Sequence, residues 1–428
     1  MQFQIFNTHY PLNPSKSGSE TSFALNAIVL ILSLAVTIGC HFALGIKQPL
    51  ELFVILLFSL LALTVVGETI LYPKTAALRQ LKVRRPLSWL RILYREVALI
   101  AALGAIAFAY WLFPLFADRA MQRFYYPFLT FFAPTLLLLS LPYFILADRL
   151  DPEEEDAHCR VGRALCTFKS NLTRFEFANW ARSWAVKGFY FALMQPAAIE
   201  KIRTFLAYDW NTLTRGPTEV YLFASTVCYG LDLAYAAAGY ILNFKLFNTH
   251  TRTAEPTLFG WMVAIFCYWP FWAVLFSPYF FRYQSPLLWN TLFTTGGFIW
   301  WIWAAVIVGC EAIYALATIS AGIRFSNLTY RGLWDTGPYR WTKHPAYIFK
   351  NISWWFISVP FALNSGSAAI KCTILLLGVN LIYFARARTE ERHLSHYPEY
   401  VAYAEKMNHK SIFRWCTRFI PALAYSKT

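Results

Sequence analysis

The sequence predicts an all-α, polytopic transmembrane helical bundle. Hydrophobic residues make up 57% of the 428 residues and charged residues only 14%, with a mean hydropathy of +0.41. Soluble domains carry about a quarter charged residues. Aromatic residues reach 19%, and many Trp and Tyr lie near the ends of apolar runs, as in interfacial belts. Several runs also reach the roughly 20 residues that a helix needs to cross a membrane.

Charge asymmetry sets the expected number of spans. Seven Lys and Arg against one acid follow the second apolar run, between residues 74 and 96. The tail from residue 386 carries eight bases and four acids, so both regions are expected in the cytoplasm. Nine spans would place these two regions on opposite sides of the membrane. Counting residues 186–210, which Pro196 interrupts, as a tenth span places both regions in the cytoplasm. The predicted spans are about 24–44, 50–71, 96–117, 126–147, 186–210, 219–243, 257–281, 291–321, 348–364 and 367–385.

Three regions are expected along the chain. Residues 1–147 form a four-span membrane region, and residues 148–218 form a cytosolic loop with a short membrane segment. Residues 219–428 form a membrane region that is richer in polar and aromatic residues and ends in a hairpin and a tail. The formal charge of +15 is explained by bases that face anionic lipid, so no nucleic-acid partner is expected. The eight Cys are scattered without metal-ligand spacing, and no metal site is predicted.

Three carboxylates stand inside apolar runs: Glu68, Asp232 and Glu311. A carboxylate within a membrane is costly and is a candidate for function. A carboxylate near the end of a span or beside a cavity can have a structural partner instead, so both interpretations stay open.

The chemically richest stretch is "GPYRWTKHPAYIFKNISWW", residues 337–355. Gly337-Pro338 predicts a turn, and Pro345 suits the first position of a helix. The free N–H groups at that helix start can hold an acidic group. Tyr339 and Tyr347, together with Trp341, supply flat faces for a heteroaromatic ring, and Lys343 and His344 supply donors.

The predicted hairpin returns these residues to a second charged segment, "FARARTEERHL". Arg386 and Glu390 are spaced i,i+4, and Arg388 and Glu391 are spaced i,i+3, so each pair can form on one helix face. Two adjacent carboxylates suit a cationic ligand group. Bases, carboxylates and rings are therefore expected to converge at the membrane interface.

This order of motifs resembles the isoprenylcysteine carboxyl methyltransferase family and its relatives among phospholipid methyltransferases. The matching motifs are Gly-Pro-Tyr at 337–339, Lys-His-Pro-Ala-Tyr at 343–347, Glu-Glu-Arg-His-Leu at 390–394 and Tyr-Val-Ala-Tyr at 400–403. The resemblance covers about residues 322–414. Lys343 departs from the usual Arg and loses its bidentate fork.

The resemblance implies a cytosol-facing pocket for S-adenosylmethionine, formed by the last hairpin and the tail, and makes residues 219–428 a methyltransferase-like domain. It implies that the first two motifs hold the nucleoside and the Glu pair holds the methionine part. The implied cofactor-binding residues are Gly337, Pro338, Tyr339, Lys343, His344, Pro345, Tyr347, Glu390 and Glu391. The implied catalytic residues are Arg386, Arg388 and Glu391, and either Arg can orient the methyl acceptor.

The expected acceptor is an amphiphilic small molecule or a lipidated compound that arrives from the membrane lipid. A carboxylate acceptor needs only an Arg, whereas an amine or thiol needs a base, for which Glu391 and His344 are candidates. The acceptor, the membrane (bacterial inner membrane or endoplasmic reticulum) and the oligomeric state stay open. The alternatives are an NADPH-dependent sterol-type reductase and a transporter that uses Asp232 and Glu311.

Overall fold

The computed structural model describes residues 19–72, 77–113, 125–168, 171–272, 289–362 and 365–426. Helices dominate these ranges, in agreement with the all-α prediction. The α-helices are α1 (Phe23–Ala43), α2 (Pro49–Leu71), α3 (Ala77–Gln80), α4 (Trp89–Leu112), α5 (Ala133–Leu150), α6 (Ala157–Thr167), α7 (Arg174–Leu206), α8 (Pro217–Ile241), α9 (Leu258–Ile265), α10 (Phe298–Ala321), α11 (Pro345–Ser358), α12 (Gly366–Leu394), α13 (Pro398–Lys410) and α14 (Cys416–Phe419).

Shorter elements connect these helices. A π-helical segment, Phe128–Phe132, runs directly into α5. The 3₁₀ helices are Trp210–Thr214, Lys245–Phe247, Trp289–Thr291, Gly322–Arg324, Gly337–Arg340, Pro360–Ala362 and Pro421–Leu423. The strands β1 (Thr253–Ala254) and β2 (Thr329–Tyr330) pair antiparallel, with Thr253 opposite Tyr330.

Seven helices within the described residues are long and apolar enough to cross a membrane. Their bounds are Phe23–Ala43, Pro49–Leu71, Trp89–Leu112, Tyr125–Leu150, Pro217–Ile241, Phe298–Arg324 and Gly366–Leu394. They match seven of the ten predicted spans, so a multi-pass membrane protein is supported and the total of ten stays a prediction.

The other three predicted spans fall on α7, α9 and α11. The 33-residue α7 contains Pro196 and charged residues along its length. Helix α9 has eight residues, and positions 273–281 of that predicted span lie outside the described residues. Helix α11 has 14 residues, and positions 363–364 lie outside the described residues as well.

One hydrophobic core joins the first helices to the later ones. Its buried residues include Phe53 from α2, Tyr190 from α7, Tyr235 from α8 and Ile319 from α10. Between helices in a bilayer, such contacts stabilise the bundle through van der Waals packing. Asn26 of α1 adds polar contacts, since its side-chain amide donates to the Ser320 carbonyl at 3.1 Å and its own carbonyl accepts from the Tyr235 hydroxyl at 2.6 Å.

Two of the three carboxylates inside apolar runs have clear partners. Glu68 forms an ion pair with the buried Arg324 at 2.6 Å. Asp232 on α8 accepts a hydrogen bond from Thr318 on α10. Glu311 is 3% exposed, and one of its carboxylate oxygens has no hydrogen-bond partner among the described residues.

Candidate active site

The Gly337 turn packs against the start of α1 and the end of α10. Gly337 has φ +59°, a conformation that side chains other than glycine rarely adopt. A Cβ atom there would lie 2.8 Å from the Phe23 ring and closer still to the Ser320 hydroxyl. The Thr336 hydroxyl accepts from the Phe23 amide at 3.1 Å. Only glycine fits this place without displacing its neighbours.

Helix α11 begins at Pro345, as predicted, and α13 holds the loop before it. The Tyr403 hydroxyl donates to the Tyr339 carbonyl at 2.8 Å and lies 3.4 Å from the Thr342 carbonyl. Burial raises the pKa of Tyr403, so the hydroxyl stays protonated as a donor. The tail helix therefore fixes the backbone that carries Lys343 and His344.

Glu391 is the buried centre of the charged cluster. Its side chain is 5% exposed and contacts three cationic or donor groups. The Lys343 ammonium lies 2.7 Å away, the His344 Nε2 atom 3.1 Å away and the Arg388 guanidinium 2.7 Å away. Burial lowers the pKa of Lys343, an effect that Glu391 opposes. The predicted Arg388–Glu391 pair is confirmed, and this carboxylate is fully engaged by protein groups.

Glu390, the next residue, is more exposed than Glu391 and has fewer partners. Its side chain is 42% exposed, and it accepts one hydrogen bond from the Tyr347 hydroxyl at 2.7 Å. The His344 Nδ1 atom lies 4.0 Å from it. The His344 and Tyr347 rings are parallel, with centroids 5.5 Å apart. Glu390 thus presents an accessible carboxylate beside two aromatic faces.

Arg386 does not pair with Glu390, contrary to the i,i+4 expectation. It is 5% exposed and donates to the Asn327 side-chain oxygen. Its guanidinium carbon lies 4.8 Å from the centroid of the Tyr347 ring, 5.4 Å from that of Tyr268 and 5.9 Å from that of Tyr383. Within the described residues, no carboxylate oxygen lies within 4 Å of this guanidinium. Cation–π contacts replace a counter-ion here.

The structure thus brings together both segments that the sequence singled out. Each of four residues contacts Glu390 or Glu391: Lys343, His344, Tyr347 and Arg388. Gly337, Pro338 and Tyr339 lie on the adjoining loop.

Sequence reasoning missed the residues around Arg386. Tyr383 stands three residues before Arg386 on α12 and was detectable by helical spacing. Asn327 and Tyr268 come from distant segments, and their side chains are 3.0 Å apart. No local pattern predicts that approach.

The architecture defines a multi-pass helical membrane protein with a polar site at the mouth of its last hairpin. The family model described as "Isoprenylcysteine carboxyl methyltransferase (ICMT) family" matches residues 303–396. This confirms the resemblance of the C-terminal part, under a quarter of the chain, and it supports a membrane methyltransferase. No curated protein and no solved structure matches the chain.

Proposed function

We propose that the protein is an integral-membrane methyltransferase that uses S-adenosylmethionine and acts on a lipid-like or isoprenylcysteine-like acceptor at the cytosolic interface. The observation that carries the proposal is the accessible Glu390 carboxylate beside the parallel His344 and Tyr347 rings, within the segment that the family model matches. A carboxylate suits the α-ammonium group of the methionine part, and the ring faces suit the adenine.

The two glutamates have separate roles in this proposal. Glu390 contacts the cofactor. Glu391 is a positioning residue, because Lys343, His344 and Arg388 already occupy its oxygens. Its charge holds α11 against α12 and keeps the His344 ring beside Glu390. The Gly337–Tyr339 loop, fixed by Tyr403, closes the nucleoside side of the pocket.

Arg386, rather than Arg388, orients the acceptor. Arg388 is neutralised by Glu391, whereas Arg386 is a buried cation with no described carboxylate in contact. A guanidinium binds a carboxylate as a fork. An acceptor carboxylate at Arg386 supplies the missing negative charge next to Tyr347, which also contacts Glu390.

Methyl transfer to a carboxylate acceptor requires alignment of the reactants but no catalytic base. An oxygen lone pair of the acceptor forms a bond to the sulfonium methyl carbon while the carbon–sulfur bond breaks, leaving S-adenosylhomocysteine and a methyl ester. A carboxylate acceptor has no proton to lose, so no base is required. The protein supplies alignment and a site poor in water, and transfer to a carboxylate does not require Glu391 as a base.

The experiment is transfer of labelled methyl groups from S-adenosylmethionine to extractable lipid. Purified protein is incubated with a farnesylcysteine derivative in one arm and phospholipid vesicles in the other. Label in the lipid phase, lost in His344→Ala, is the expected result. Transfer by wild type and His344→Ala at equal rates contradicts the proposed pocket, and lack of transfer in both arms removes the two acceptor classes.

A further inference from the structure

A large cavity lies among α4, α5, α6, α7 and the loop after α8, and it extends to the start of α13 at Pro398 and Glu399. Its volume is about 1550 Å³, above the roughly 300–1,000 Å³ of most small-molecule pockets. One end is apolar and is lined by Leu99, Phe128, Leu139 and Phe191. Leu139 is 45% exposed on the outer surface of the bundle, so this end approaches the face that meets lipid.

The other end is polar, and most of the charged side chains that line it are already paired. The lining ion pairs include Arg160–Glu176, Lys245–Glu153 and Arg252–Glu20. Lys187 is different: within the described residues no carboxylate oxygen lies within 4 Å of its ammonium. The Lys187 ammonium instead lies 4.2 Å from the Trp184 ring centroid. Lys187 is partly buried, and an ammonium that is partly withdrawn from water without a counter-ion is costly.

Two neutral histidines line the same end. The His158 Nδ1 atom accepts from the Trp180 indole at 2.8 Å, so the neutral ring carries its proton on Nε2. Burial lowers the pKa of His158 to about 4 and that of His250 to about 3. The His250 Nδ1 atom is buried and has no partner among the described residues. The His250 Nδ1 atom therefore offers polar capacity that the described protein groups leave unused.

We propose that this cavity binds an amphiphile whose anionic headgroup, a carboxylate or a phosphate, pairs with Lys187 while its apolar tail lies along Leu99, Phe128 and Phe191. The headgroup supplies the counter-ion that the Lys187 ammonium lacks beside the Trp184 ring. The tail packs along the apolar lining and so stays out of contact with water. The volume of the cavity, and its lining with one polar and one apolar end, both fit one lipid-sized molecule.

This site is separate from the proposed methyl-transfer site, but one of its lining residues is linked by hydrogen bonds to Arg386. Tyr240 lines the cavity, and its hydroxyl accepts from the Asn327 amide, whose oxygen in turn accepts from Arg386. The proposal does not depend on methyl transfer, because among the residues that the structure describes none of Lys187, His158 or His250 contacts the hairpin residues.

The test is photo-crosslinking of the full-length protein with diazirine-tagged amphiphiles, followed by peptide mapping. One arm uses a tagged fatty acid, a second uses tagged phosphatidic acid, and a third uses zwitterionic phosphatidylcholine as background. We expect saturable labelling of α4, α5 and α7 by one or both anionic probes. Labelling by the fatty acid alone identifies a carboxylate ligand, and labelling by both identifies a site for either headgroup.

Matched variants separate this site from general lipid contact. Lys187→Met is expected to raise the half-saturating concentration at least about tenfold, the value of one charge-assisted contact, and Lys187→Arg is expected to restore it. Melting temperatures check that each variant is folded, and the anionic probe should raise the melting temperature of wild type but not of Lys187→Met.

Three outcomes overturn the proposal. They are equal labelling of wild type and Lys187→Met, equal labelling by phosphatidylcholine, and loss of cavity labelling in His344→Ala, which would place the amphiphile in the hairpin site. Failure of methyl transfer leaves these measurements unaffected, so the two proposals can fail independently.

Discussion

Glu390 and Glu391 allow a direct test of whether the hairpin is arranged around a cationic ligand. Glu390→Gln keeps the shape of the side chain and its contact with Tyr347 but removes the negative charge. A hydrogen bond to a charged group contributes about 1.5–3 kcal/mol. Since the Glu390 side chain is 42% exposed, solvent screening favours the low end of that range. About 1.4 kcal/mol corresponds to a tenfold change in affinity.

We therefore expect Glu390→Gln to weaken S-adenosylhomocysteine binding about tenfold, with little change in melting temperature. Isothermal titration calorimetry of purified protein in detergent measures the affinity, and a thermal melt measures the stability.

Glu391→Gln is the matched control. It leaves the Lys343 ammonium, 10% exposed, without its counter-ion, and breaking a buried pair in this way costs about 3–5 kcal/mol. We expect a clearly lower melting temperature in this variant. If Glu390→Gln binds S-adenosylhomocysteine within twofold of wild type, the assignment of the ammonium group to Glu390 is wrong.

Three further predictions test the loop, the acceptor position and the pH response. Gly337→Ala should lower the melting temperature, because a left-handed alanine costs about 1–2 kcal/mol before any clash, whereas Gly366→Ala, where a Cβ meets no atom within 4 Å, should not. Arg386→Lys should leave S-adenosylhomocysteine affinity near wild type but reduce methyl transfer at least tenfold, since lysine lacks the guanidinium fork; equal transfer would show that another residue binds the acceptor. His158 and His250 have lowered pKa values of about 4 and about 3, so the unfolded chain binds more protons below about pH 6.5. The free energy of unfolding should therefore be highest above pH 6.5 and should fall towards pH 4 by about 1.4 kcal/mol per pH unit for each His. A chemical-denaturation series that shows no change in this free energy between pH 6.5 and pH 4 would contradict the prediction.

The sequence was sufficient to predict the parts of the fold that depend on local pattern. Long apolar runs located seven helices, and Pro345 located the start of α11. The i,i+3 spacing predicted the Arg388–Glu391 pair because both residues lie on one regular helix. These features depend only on neighbours along the chain.

The environment of Arg386 depends instead on tertiary packing. Its i,i+4 spacing to Glu390 allowed an ion pair. Instead, the guanidinium donates to Asn327 and lies against the Tyr268 and Tyr347 rings, while Glu390 accepts from the Tyr347 hydroxyl. The spacing of residues along one helix does not predict contacts with Asn327 and Tyr268, which lie 59 and 118 residues away in the sequence. For the same reason, the cavity around Lys187 had no signature in the sequence.

The most direct test of the central claim is equilibrium binding of S-adenosylhomocysteine and of NADPH to the purified protein, for wild type and His344→Ala. We predict that wild type binds S-adenosylhomocysteine and not NADPH, and that His344→Ala loses this binding while it stays folded. Binding of NADPH alone, or no binding of S-adenosylhomocysteine to folded wild type, would contradict the methyltransferase proposal.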